Sequence, residues 1–259
     1  MAKKAKVISI IIPCHNEEEG VASVINEIPK KRLKFLGYTV DVLVIDNNSS
    51  DNTAEVAKGL GARVIKELRQ GKGRAIKTAF LNIHKDAEFI IMLDGDDTYK
   101  AHEIPRLIEP LESGFCDVII GSRLEGKMNG KSMQFSHRLA NWFFTFMVRH
   151  FYFANVTDTC TGFFAWKRHV ITSLNGHIKS KGFAIEAEMI TKMARMGHCI
   201  YSVPITYDKR AGDSKLAPLG DGLKITKMLI KNMKWKPNPN IKRVTNKKVI
   251  QNTKREKRR

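Results

Sequence analysis

Cysteine is sparse. Cys14, Cys116, Cys160 and Cys199 lie far apart in 259 residues and form no CxxC pair. That spacing argues against a cysteine-built zinc site or a disulfide framework and fits a reducing compartment. Long apolar runs are missing too. No segment reaches the ~20 apolar residues needed to span a bilayer. The opening "MAKKAKVISIIIPCHNEEE" starts like a secretory leader. Its apolar run is short, however, and "HNEEE" stands where small residues should mark a cleavage site. A first β-strand explains it better. Acidic residues are outnumbered, 26 Asp and Glu against 45 Lys and Arg, for a net charge of +19. Such a balance points to an anionic partner: nucleic acid, an acidic membrane surface or a phosphorylated substrate. The apolar fraction, 42%, excludes disorder as the main state. The length suits one large α/β domain or one domain with appendages.

Strands and helices alternate along most of the chain. "VISIIIP" (Val7 to Pro13), "DVLVID" (Asp41 to Asp46), "ARVIKE", "FIIMLD", "CDVIIGSR" (Cys116 to Arg123) and "IYSVPITY" read as strands. Helices are expected from Glu18 to Ile28, after "NNSSDNT" with Ser50 or Asp51 as N-cap, and in "GKGRAIKTAFLNIH", Pro105 to Leu111 and "EAEMITKMARMG". The pattern predicts an α/β fold with a mostly parallel, doubly wound Rossmann-like sheet flanked by helices. A single domain is expected over residues 1–236. The tail 237–259, with nine Lys or Arg against one Glu, reads as a basic, disordered extension.

The segment "FIIMLDGDDTY" ends a buried strand on Asp94, Asp96 and Asp97. In an open α/β sheet, ligands bind at the carboxyl ends of the strands. Asp94 and Asp96 therefore face that crevice. Two carboxylates so close repel unless a cation joins them, and hard oxygen ligands suit Mg²⁺ or Mn²⁺. Gly95 is expected to let the backbone turn tightly between them. An acidic turn capping the next helix, through Asp97 or Thr98, is the bland alternative.

The other strand ends carry polar residues as well. Asn16 and Glu17 follow the first strand and suit hydrogen bonds to a base or ribose, or simply a helix start. Asp46 ends the second strand as a ribose or base acceptor, and Asp51 reads equally as a helix cap or an Asx-turn. Lys72, in "RQGKGRA", stands in a glycine-rich loop able to approach an anion or merely to turn. Together they outline a nucleotide site with a metal.

"IIPCHNEE", "VIDNNSSDNT", "GKGRAIKTAF", "DGDDTY", "GSR" and "DTCTGFFAWKR" occur in the order found in family 2 glycosyltransferases of the GT-A fold. The likeness covers about Val7 to Leu216 and resembles most the dolichyl-phosphate mannose synthase group and its polyprenyl-phosphate relatives. The resemblance implies that Asp94 and Asp96 hold the metal and the donor diphosphate. Thr98 stands where many relatives carry a metal-reaching glutamine. Pro13, Asn16, Glu17, Asp46, Lys72 and Gly95 would line the nucleotide sugar. Arg123 and Arg138 would bind the phosphate of a lipid acceptor. Arg210, Ser214 and Lys215 resemble a mobile basic loop over the donor. Glu186 and Glu188 would stand where other family members carry an acid near the acceptor, and Asp158 would be an active-site residue, with a helix-capping or buried-pair aspartate and a first-turn helix acid as the plain alternatives for Asp158 and Glu186.

The expected reaction moves a hexose or N-acetylhexosamine from a GDP- or UDP-sugar to dolichyl or polyprenyl phosphate, with inversion. It would occur at the cytoplasmic, inner face of a membrane to which the protein is peripheral. "LANWFFTFMVRHFYF", within residues 137–155, suits an interfacial helix, with ordinary core as the alternative. "KITKMLIKNMKWKP" is a second candidate, with Ile225, Met228, Leu229 and Met233 on one face. A glycan hydroxyl acceptor is the competing enzyme reading, and it needs Glu186 or Asp158 as a true base. A nucleic-acid-binding role ranks below both, because no recognition motif accompanies the charge.

Overall fold

The computed structural model describes residues 5–130, 132–209 and 218–237. Arg210, Ser214, Lys215 and the basic tail beyond 237 lie outside them. In chain order the elements are β1 (Lys6–Cys14), α1 (Glu18–Glu27), α2 (Lys30–Phe35), β2 (Tyr38–Asp46), α3 (Thr53–Gly59), β3 (Arg63–Lys66), α4 (Lys72–Asn82) and β4 (Ala87–Met92). After a 3₁₀ turn at Ala101–Glu103 come α5 (Ile104–Glu112), β5 (Val118–Met128), α6 (Phe135–Tyr152), β6 (Phe164–Lys167) and α7 (Arg168–Leu174). The last are α8 (Ile185–Met196), β7 (Ile200–Tyr207) and α9 (Pro218–Met233).

The seven strands form one sheet in the order β3-β2-β1-β4-β6-β5-β7. β1 runs parallel to β2 and β4, β2 to β3, and β5 to β7. β6 is antiparallel to both β4 and β5. The continuous apolar runs are explained by burial on both faces. Ile8, Ile10 and Ile12 of β1 pack into one core, against α1 and α5, while Ile11 points into the other, against α4 and α8. The predicted three-layer α/β architecture is therefore present.

β6 is the element that periodicity did not reveal. The strand, "FAWK", is only four residues long and sits inside a stretch that reads as a motif. Its direction matters for the site. Because Met92 pairs with Phe164, the loop entering β6 arrives where β4 leaves. Asp158 and Gly162 thereby reach the carboxyl edge of the sheet. The start of α3 also differs from expectation. Asn52 takes the N-cap position, and Asp51 instead accepts from the Thr53 and Glu18 amides.

Trp166 of β6 is fully buried, edge-on to Phe80 of α4 and stacked on Phe164. It joins the antiparallel strand to the α4 layer. Trp166→Ala should cost about 3–5 kcal/mol, read as a lower urea midpoint with little change in slope. A loss under 1 kcal/mol, roughly a surface effect, would contradict this placement.

Candidate active site

β4 delivers Asp94 to the carboxyl edge. There Lys72 Nζ, from the first turn of α4, lies 2.7 Å from Asp94 Oδ1 and 2.9 Å from Oδ2. The same ammonium lies 2.7 Å from Glu186 Oε1 in the first turn of α8. Burial opposes the charge on Lys72, but the two acids outweigh it and hold its pKa well up. Glu186 is pushed upward by burial, with Lys72 opposing and Asp94 adding to the shift. Glu188 of the same helix turns away from the cleft. It accepts the Lys179 and Ser180 amides and pairs with buried Lys192.

The three acids of "DGDD" separate on leaving the strand. Asp96 Oδ1 accepts from the backbone and hydroxyl of Thr98, at 3.2 and 2.7 Å. Thr98 is buried and acts as a donor that orients Asp96. Asp97 adopts a left-handed φ of 60° and turns to Ser23 and Lys100. The tight turn expected of Gly95 thus falls on Asp97. The constraint on Gly95 is space: a Cβ there would sit 2.4 Å from Cys14 Sγ. Gly162 is restricted in the same way, since its Cβ would meet Asp94 Oδ2 at 2.4 Å.

Pro13, Cys14, His15, Glu17, Asn47, Gln70, Gly71, Lys72, Ala75, Asp94, Gly95, Asp96 and Phe183 line a cleft of about 320 Å³. Asp46 is buried beneath it and accepts from the Ser49 amide. Asn16, at φ 52°, stands at the rim and is tied to Ser49 and Ser50. Sequence reasoning missed Asn47. Its amide donates to the Glu67 and Arg69 carbonyls, and its Oδ1 accepts from Gly71. An aspartate there would present acceptors to two carbonyl oxygens, so the second residue of "DNNS" must be an amide. The loop amides beside Lys72 are also engaged: Gly73 N donates to the Lys181 carbonyl.

A second ion pair flanks the cleft. Arg123 Nε and Nη2 lie 2.7 and 2.9 Å from the two oxygens of Asp158, and the Arg123 amide adds a third bond. Asn141 of α6 donates to the same carboxylate. Burial acts to raise the Asp158 pKa, but Arg123 and Asn141 bring it below the usual range. The Arg123 guanidinium also lies over the Tyr207 ring, 5.2 Å from its centroid. Arg138 stands exposed on α6.

α6 has two apolar sides. Phe144, Met147, Val148 and Tyr152 enter the core. Phe135, Leu139, Trp142 and Phe146 recur at helical spacing on the outside, with Phe135 79% and Trp142 60% exposed, and Phe153 just past the helix end is exposed as well. No described helix is long and apolar enough to cross a membrane. The α9 expectation is corrected. Ile225 and Leu229 are buried, and Met228 and Met233 pack on the same core, so that face is occupied by protein.

The cleft's donor set fits a divalent cation. One ammonium is shared by two carboxylates, and Asp96 adds a third acid. Asp94 Oδ1 is buried and accepts no hydrogen bond of good geometry. Oxygen donors of this kind suit hard ions.

A GT-A sheet with an acidic motif at the end of its central parallel strand is that of a glycosyltransferase. The model for "Glycosyl transferase family 2" matches residues 9–174, and the chain belongs to that family. It is 30% identical over 224 residues to a dolichyl-phosphate hexose transferase of Haloferax volcanii, covering 86% of this chain and 92% of that one. It is 28% identical to an undecaprenyl-phosphate mannosyltransferase of Micrococcus luteus, over 80% and 86% of the two chains. Among solved structures, glucosyl-3-phosphoglycerate synthase of Mycobacterium tuberculosis, with Mn²⁺, UDP-glucose and phosphoglyceric acid, matches with a TM-score of 0.66. That match covers 90% of this chain and 81% of the other at 21% identity, and it bears on the fold.

The Asp158–Arg123 pair has a clear pH signature. A carboxyl lowered in the folded state stabilises above its unfolded pKa of ~3.9 and loses that contribution as pH falls through the folded value. Asp158→Asn should cost about 3–5 kcal/mol at neutral pH, because Arg123 is left buried and unpaired. The gap to the unsubstituted protein, followed by urea unfolding, should narrow in acid. A gap that is constant through the acid range would argue against the pairing.

Proposed function

We propose that this enzyme transfers a hexose from a nucleotide sugar to a polyprenyl or dolichyl phosphate, using Mg²⁺ or Mn²⁺. The acidic cleft carries the reading: Asp94 and Asp96 stand beside Lys72 at the sheet's carboxyl edge, over a cavity of about 320 Å³. Asp94 and Asp96 would hold the ion, and Thr98 would orient Asp96. A divalent ion there supplies positive charge to a departing nucleoside diphosphate. Pro13, Glu17, Asn47 and Gly95 would line the nucleotide, with Asp46 and Asn16 shaping its floor and rim. Arg210 and Lys215, outside the described residues, would add positive charge toward the donor diphosphate.

The acceptor reading rests on charge and on the relatives. A phosphate monoester is ionised near pH 7, since its second pKa is ~6. It needs positioning more than deprotonation. Arg123 suits that task through the guanidinium edge that Asp158 leaves uncovered, and Arg138 would assist. Asp158 is committed to Arg123 and lowered in pKa, which weighs against its use as a base toward a hydroxyl acceptor. The exposed aromatic face of α6 supports a peripheral seat on the membrane, with Trp142 and Phe146 at the interface. Four free cysteines accord with the cytoplasmic face.

Purified protein should be assayed with polyprenyl phosphate and a panel of labelled UDP- and GDP-hexoses. Chelation should abolish transfer, and Asp94→Asn or Asp96→Asn should reduce it by roughly 10²–10³-fold or more. Full activity after exhaustive chelation would end the metal reading. Glu186→Gln should leave measurable transfer if the acceptor is a lipid phosphate and abolish it if the acceptor is a hydroxyl, because it removes the base the latter needs. For the membrane seat, replacing Trp142 and Phe146 by serine should weaken flotation with anionic vesicles while the fold stays intact. Unchanged flotation would assign this face to another partner.

A further inference from the structure

At the edge of the sheet opposite the cleft, three side chains of different elements converge. Asp117 immediately precedes β5, His169 lies in the first turn of α7, and His198 lies between α8 and β7. One ligand atom from each lies within 4.8 Å of the others. We propose that Asp117, His169 and His198 form a binding site for a nitrogen-preferring divalent metal, with Zn²⁺ the best fit.

Asp117 is 94% removed from solvent, and its Oδ1 has no hydrogen-bond donor among the described residues. The nearest cationic groups are His169 Nε2 at 3.5 Å and Lys167 Nζ at 3.6 Å, both beyond good hydrogen-bond reach. Its Oδ2 is already fixed by the Cys199 amide at 3.1 Å. The carboxylate is therefore anchored by one oxygen and presents the other to the histidines. The Lys167 side chain is partly exposed and is able to swing outward as an ion enters.

Ser173 sets the state of His198. The serine hydroxyl donates its proton to the Val170 carbonyl at 2.7 Å. Toward His198 Nε2, 2.8 Å away, it therefore acts as an acceptor. In that arrangement Nε2 would carry the proton and Nδ1 would keep the lone pair. An imidazole whose other nitrogen is held by a hydrogen bond is the usual state of a metal-ligating histidine. Two imidazoles and one carboxylate suit zinc rather than Mg²⁺, and three protein ligands leave a position for water. Such an ion would clamp the starts of β5 and α7 to the α8–β7 turn.

The test uses the full chain, stripped of metal, in an Asp94→Asn, Asp96→Asn background that removes the other acidic pair. Zn²⁺ should bind stoichiometrically by calorimetry and raise the unfolding temperature. Co²⁺ should give the visible spectrum of a nitrogen-ligated site. His169→Ala or His198→Ala should abolish the spectrum, and Ser173→Ala should weaken Zn²⁺ by about tenfold. If the alanine variants fail to fold, His169→Gln and His198→Asn carry the same comparison. Zinc affinity and a cobalt spectrum unchanged by loss of either histidine, or no binding by the parent protein, would overturn the proposal. A requirement for glycosyl transfer is not implied, so failure here is separable from failure at the cleft.

Discussion

Lys72 Nζ is 2.7 Å from both Asp94 Oδ1 and Glu186 Oε1, in a setting where neither acid is easily left alone. Burying an unpaired carboxylate costs several kcal/mol, roughly. The ammonium offsets that for two acids at once, and so ties α4, β4 and α8 together. Much of the surrounding backbone serves to keep it there. Asn47 bridges the β3 exit to Gly71, the Lys181 carbonyl takes the Gly73 amide, and Glu188 holds the loop that carries Lys181. A Cβ at Gly73 would strike the Ser180 carbonyl at 2.4 Å, so the α4 start and that loop pack too closely to admit a side chain there.

The two ion pairs of this edge are built to different ends. Asp158 and Arg123 match one charge to one charge, with two parallel bonds and further donors on the same carboxylate. Nothing in that pair asks for another ion. The Lys72 group has one cation against two acids, with Asp96 beside it. Additional positive charge is therefore favoured at the cleft and not at Arg123. Under the proposed reading the cleft takes a cation, while Arg123 would meet an anion only through the guanidinium edge that Asp158 leaves uncovered.

The sheet was largely legible because its central strands are buried on both faces. "VISIIIP" and "FIIMLD" admit little else, and Asp94 and Asp96, which follow the second of them, line one cleft with Lys72, which follows β3. What stayed hidden depends on contacts across the chain. β6 is too short to show a period, and its antiparallel direction comes from pairing with β4. Gly95 looked like a turn residue, but it is small because Cys14 lies against it, and the left-handed turn is made by Asp97. The apolar side of α9 has the spacing and flanking lysines of a membrane face, yet α6 and α8 cover it. The outer side of α6 keeps its aromatics exposed, and sequence alone could not tell which side that was.

The same topology explains why chemistry of two kinds can sit on one sheet. Parallel strands collect loop residues of β1, β2 and β4 at the carboxyl edge, and those loops brought oxygen donors. At the opposite edge β5 and β7 begin and β6 ends, so Asp117 meets the turn residues His169 and His198 although 52 and 81 positions separate them in sequence. No short motif could have linked these three. Their donors are nitrogen-rich where the cleft's are oxygen. By donor type a hard ion prefers the first edge and zinc the second. The sheet thus keeps at its opposite ends two donor sets that differ in the metal they favour.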